Sequence, residues 1–157
     1  MEFRAPLLTI HILSVIVWLG CGLYEIFLAR EIKIARGTDF ELHLARMYIK
    51  YSSAVPVATL LVAGTGATMA VVLDWGFFQQ IWLGTKQALM VTVLIIFASV
   101  VPPFYKFTGI VNSLPPEAKA LPVEAAQIFY RLEKWLITMR VMGAIAIALA
   151  VFKPGLR

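Results

Sequence analysis

Apolar residues fall along this chain in four long runs, separated by polar segments. The runs cover about residues 6–28, 54–73, 81–102 and 135–152. Each is close to the ~20 residues an α-helix needs to cross a hydrocarbon core of ~30 Å. The pattern predicts an all-α fold: an integral membrane four-helix bundle forming one domain over residues 1–157. The first run is too long for the apolar core of a signal peptide, and it carries His11 and Glu25.

The polar segments between the runs differ in charge. Residues 29–53 hold Arg30, Lys33, Arg36, Arg46 and Lys50, and residues 103–134 hold Lys106, Lys119, Arg131 and Lys134. Residues 74–80 hold no Lys or Arg. Cytoplasmic connections carry the excess of Lys and Arg. The first and third connections are therefore expected in the cytoplasm, with the N-terminus and C-terminus both outside. The expected location is the cytoplasmic (inner) membrane of a prokaryote.

Local signals refine the elements. Arg46 and Lys50 share a helix face, so the second helix is expected to begin near Asp39. Pro122 followed by Glu124 reads as a helix start, which makes the fourth helix project beyond the membrane. Pro102-Pro103 is expected to end the third helix, and Pro115-Pro116 to mark a turn. Trp75, Phe77, Phe78 and Trp82 are expected at the outer interface, where aromatic belts lie.

Composition supports this picture. Hydrophobic residues make up 61% of the chain and charged residues 15%; soluble domains have roughly 45–50% and 25%. These figures argue against a soluble enzyme, a disordered chain or a nucleic-acid-binding domain. The formal charge of +5 reports orientation, because nine of the fourteen basic residues lie on the two basic connections. The expected partners are the lipid bilayer and, because four helices make a thin bundle, a second copy or a larger membrane complex. No nucleic acid is expected. Cys21 is the one cysteine, which excludes an internal disulfide and a cysteine-cluster metal site.

Ionisable residues inside spans are expensive and mark function by default. Four are present: His11, Glu25, Lys86 and Arg140. On the first helix His11, Ser14, Trp18, Gly22 and Glu25 share one narrow stripe, which must face the bundle. Two readings of the stripe stand side by side: a packing seam with a hydrogen-bonded histidine, or a ligand or redox role for His11. Gly20 and Gly22 permit close approach by a helix or a flat cofactor. Glu25 and Arg140 match in depth and oppose in charge, so an ion pair or shared hydrogen-bond network is expected; separate snorkelling to the headgroups is the alternative. His11 and Lys86 both lie in the outer half. Met69 lies near the depth of His11, either as a second haem ligand or as a flexible apolar filler. Gly64 and Thr68 form a small-xxx-small pair expected to seat another helix. His43 lies on the first connection, too far in depth to join His11 on one haem. No paired-carboxylate, HExxH, GxGxxG or P-loop pattern is present.

The first helix, HILSVIVWLGCGLYEIF, resembles that of the HemJ-type protoporphyrinogen oxidases and the CopD-like membrane family, with His11, Trp18, Gly22 and Tyr24 at the matching positions. The segment IWLGTKQALMV is similar to the third helix of the HemJ type and places Lys86 on that family's functional lysine. The ending VFKPG is similar to endings in HemJ and in uncharacterised four-helix relatives. The resemblance implies a four-helix membrane fold, a haem b near His11 and oxidation of a porphyrinogen. It departs from the HemJ type at Gly84, where that family usually has His, and the uncharacterised relatives imply no activity.

Three functions are thus expected in order. The first is a redox protein binding haem b in the outer half, with His11 as the axial metal ligand, Lys86 or Met69 opposite, and Trp18 and Gly22 shaping the pocket. The second is a non-catalytic accessory or structural subunit of a larger complex. The third is an oligomeric proton or metal transporter using Glu25, Arg140 and Lys86.

Overall fold

The computed structural model describes residues 4–152. These form five α-helices: α1 (Arg4–Ile34), α2 (Glu41–Ser52), α3 (Val55–Val72), α4 (Ile81–Ser113) and α5 (Val123–Phe152). Among the described residues there is no strand. Four stretches are long and apolar enough to cross a membrane: α1, α2 with α3, α4 and α5. Lys153, Arg157 and the Lys-Pro ending lie outside the described residues, as do residues 1–3.

α2 and α3 are nearly one helix. Ser53 and Ala54 between them keep helical backbone angles. Pro56 in the first turn of α3 has no N–H to donate to the Ser52 carbonyl four residues back, and the helix breaks there. α2 begins at Glu41, close to the expected Asp39, and α5 begins at Val123, directly after Pro122. Pro115 and Pro116 lie in the α4–α5 connection.

One boundary differs from expectation. Pro102 and Pro103 do not end the third long helix; α4 runs through them to Ser113. Each proline removes one backbone hydrogen bond and crowds the preceding turn, which disfavours an isolated helix. Here the helix is held on both sides of the pair. Val100 packs before it, Phe107 and Val111 pack after it, and α5 lies alongside. Tertiary burial of those side chains outweighs the local breaking signal. The freed carbonyls, of Ala98 and Ser99, belong to exposed residues at the end of the apolar stretch.

The helices pair as α1 with α3 and α4 with α5, and the pairs meet along α1–α5 and α2–α4. The tightest packing lies at the end that carries the two basic connections, called the basic end below. There Ile32, Leu42, Phe107, Val111, Ala125 and Phe129 are at most 1% exposed. Phe129 is central, with ring centroids 5.3 Å from Tyr48 and 5.6 Å from Phe107. Glu41 and Arg46 pin the connections to this core. The Gly37 and Leu121 N–H groups donate to Glu41 Oε2 at 2.9 and 3.4 Å, and Arg46 Nη2 donates to the Leu114 carbonyl at 3.1 Å.

Away from the basic end the outward faces are apolar and open. Leu23, Val71 and Ile95 are each more than 60% exposed. At that opposite end, the α3–α4 connection turns through Asp74, Gly76 and Phe78, all with positive φ. Gln87 clamps the turn: the Phe78 N–H donates to Gln87 Oε1 at 2.8 Å, and Gln87 Nε2 donates to the Gly76 carbonyl at 3.2 Å.

The uneven core makes a stability prediction. Phe129→Ala should cost about 3–5 kcal/mol, as for large-to-small changes in a close-packed core. Ile95→Ala, on the open face, should cost far less. Denaturant unfolding of the two variants in the same detergent measures the difference.

Candidate functional site

The buried face of α1 reads His11, Ser14, Trp18, Gly22, Glu25, Leu28, Ala29 and Ile32, which follows the helical period. Two polar centres sit on it. Ser14, between them, is satisfied locally, its Oγ donating to the Ile10 carbonyl at 2.7 Å.

The first centre joins α1 to α5. Arg140 Nη2 donates to Glu25 Oε2 at 2.6 Å, with both side chains nearly sealed from solvent at 7% and 6% exposure. The guanidinium carbon lies 4.7 Å from the Trp18 ring centroid, a cation–π contact. Two glycines make the room. A Cβ at Gly22 would overlap the Arg140 guanidinium, and a Cβ at Gly143 would overlap the Trp18 indole. α1 therefore lends a glycine to the arginine of α5, and α5 lends one to the tryptophan of α1. Beside the pair lies a small cavity lined by Gly22, Glu25, Tyr48, Glu133 and Arg140 among others. Glu133 is itself paired at the rim with Lys33, at 2.5 Å.

The second centre joins α1 to α3. His11 is buried, and its Nδ1 lies 2.8 Å from Thr65 Oγ1. The Thr65 hydroxyl has one hydrogen, and its Oγ1 lies 2.5 Å from the Leu61 carbonyl. In the tautomer with its proton on Nδ1, His11 donates to Thr65 and Nε2 keeps its lone pair; in the other tautomer Thr65 donates to Nδ1. Gly66 faces His11, where a Cβ would make ordinary van der Waals contact with Cε1 at 3.4 Å. Lys86, half-buried on α4, is close enough to act electrostatically on His11. Met69 is buried on α3, one turn (~5.4 Å) beyond Thr65 toward the α3–α4 connection.

The residues singled out in the sequence thus divide. Glu25 and Arg140 come together, and Trp18 and Gly22 sit with them, engaged by Arg140 and Gly143. His11 sits apart with Thr65, with Lys86 in electrostatic range. His43 is exposed on α2 at the basic end, stacked on Phe40 with ring centroids 5.2 Å apart. Gly64 and Thr68 do not seat a helix of this chain: both are exposed, and a Cβ at Gly64 would meet nothing within 4 Å. The reason is rotational, because turning a helix by one residue swings the face through ~100°. Thr65 and Gly66 consequently face α1 in their place. Among the described residues no group of three or more His, Cys, Asp or Glu gathers to hold a metal ion.

Thr65 and Gly143 were the residues that sequence reasoning passed over. Thr65 stood among small residues with nothing to set its face. Gly143 had a readable signal, a small residue one turn from an intramembrane-type arginine.

The ion pair is expected to behave as a unit. Breaking it from one side leaves a buried charge and costs about 3–5 kcal/mol. Glu25→Gln and Arg140→Leu should therefore each destabilise strongly, while the double variant costs much less than their sum. A double-mutant cycle by denaturant unfolding reads the coupling, and additive effects would contradict it.

No protein-family model, curated protein or solved structure matches this chain, so the chemistry of both centres rests on their own geometry.

Proposed function

We propose that this chain is a small integral membrane redox protein that ligates haem b through His11, in the half of the bundle away from the basic connections. The observation that carries the reading is the Thr65–His11 hydrogen bond. A histidine that binds iron uses a neutral imidazole, with its other nitrogen donating to a fixed acceptor that sets the tautomer and ring orientation. The Nδ1 tautomer of His11 supports this reading, because Thr65 then accepts the Nδ1 proton and Nε2 is the donor atom.

His11 would hold the haem iron. Lys86 or Met69 would be the second donor to the iron. Trp18 and Gly22 are occupied by the Arg140 seam, so the pocket walls would come from α3 and α4. Bound there, haem supplies one-electron chemistry. The chain's own residues orient the ligand through Thr65, exclude water by the apolar surroundings of α1 and α3, and set a positive charge nearby through Lys86. In this reading the basic end faces the cytoplasm, both termini lie outside, and the protein resides in a prokaryotic inner membrane.

A second reading, an accessory subunit of a larger complex or a homodimer, is favoured by one specific feature. Gly64 and Thr68 leave an open, close-approach face on α3.

The absorption spectrum of protein purified from haem-replete cells tests the first reading. A Soret band is expected, lost in His11→Ala. Thr65→Val should keep the fold and weaken haem affinity about 10–100-fold, the usual effect of removing a group that orients a ligand. A colourless, well-folded preparation would overturn the haem assignment and leave the accessory reading.

A further inference from the structure

The cavity beside the Glu25–Arg140 pair has an unmet chemical demand. Arg140 is more than nine-tenths buried, yet its Nε and Nη1 find no acceptor among the described residues. Nη2 is taken by Glu25, and the guanidinium carbon lies over the Trp18 ring, 4.7 Å from its centroid. The donors belong to a side chain that lines the cavity together with Glu25, Tyr48 and Glu133. Leaving a buried charged donor unpaired is costly, so native structures fill such places with an acceptor.

We propose that this cavity is a binding site for a single hydroxylic molecule, an ordered water, that completes the coordination of Arg140 and extends the ion pair toward the basic end. Four physical points select the occupant. The interior has room for about one water and no more. The occupant must accept from Arg140 while being able to donate to the carboxylate of Glu25, and water does both. An anion would be repelled by Glu25 and Glu133, and a cation by Arg140. A lipid chain would leave the donors as they are. The side chain of Tyr48, on α2, also lines the cavity. With Glu25, Glu133 and Arg140 it makes one polar column along the cavity wall. Glu133 closes the column at the rim, where it meets exposed Lys33. The site stands independently of the haem reading, since His11, Thr65 and Lys86 take no part in it.

Ala29, 2% exposed, also lines the cavity and offers a clean test. Ala29→Thr and Ala29→Val in the full chain add the same volume and have similar helix propensity. Both displace the water, but only threonine brings an acceptor for Arg140. If Arg140 draws an acceptor from this cavity, the threonine variant should be more stable, by about tenfold in its folding equilibrium constant. A valine variant of equal or greater stability would show that Arg140 needs no acceptor here and would overturn the proposal. That the acceptor is water is read by NMR on the unsubstituted protein in bicelles, which also decides if neither variant folds. The Arg140 Nε–H resonance, assigned by its loss in Arg140→Lys, should show a cross-peak to water. Cross-peaks only to acyl-chain protons, or none from outside the protein, would refute a bound water.

Discussion

The contact on which the architecture turns is the Glu25–Arg140 ion pair with its two glycine seats. The helices form two pairs, α1–α3 and α4–α5, each able to bury its own inner face. In the apolar layer the pairs meet chiefly along α1–α5, where Arg140 lies over Gly22 and Trp18 lies over Gly143. Hydrophobic burial gives little specificity between apolar helices in an apolar surrounding, so close packing and polar contacts decide which helices meet. Neither charge can be stranded in that layer without cost, so the pair fixes both the partners and their register.

A second constraint acts at the basic end. There the ends of α1 and α4, the start of α5 and all of α2 enclose a core of Ile32, Leu42, Phe107 and Phe129, each at most 1% exposed. Glu41 and Arg46 bind the connections onto it through backbone groups. This packing also explains how α4 continues through Pro102-Pro103, since the helix segments before and after the pair are anchored. The ion-pair seam sits at the border of this core, and Tyr48 belongs to both. Motions that open the seam must therefore disturb the basic end, whereas the His11–Thr65 centre lies more than three helical turns (over ~16 Å) along α1 from Glu25.

Much of the architecture was legible in the residue order. Four apolar runs of about bilayer length, separated by polar connections, allow few folds other than a helical bundle. The buried stripe on α1 was legible because a polar residue in such a run must face inward, and His11, Ser14, Trp18, Gly22 and Glu25 share one face at the helical period. Matching depth and opposite sign made Glu25 and Arg140 natural neighbours. Less was legible where two local signals competed or where none existed. Two prolines in a row argue for a helix end, and only the packing of Val100 and Phe107 reverses that. The small residues of α3 look equivalent in order, and only the rotation of the helix decides that Thr65 and Gly66 face α1 while Gly64 and Thr68 face out.

The sequence by itself determined the four apolar helical stretches, the polar stripe of α1 and which charges had to be paired, because hydrophobic length, helical period and the cost of a lone buried charge are local or pairwise properties. The tertiary structure alone decided how the stripe divides. Trp18 and Gly22 could serve either a cofactor near His11 or the arginine of α5, and spacing along α1 is the same in both cases. The choice depends on where Gly143 and Arg140 come to rest against them, which is set by the packing of one helix pair on the other.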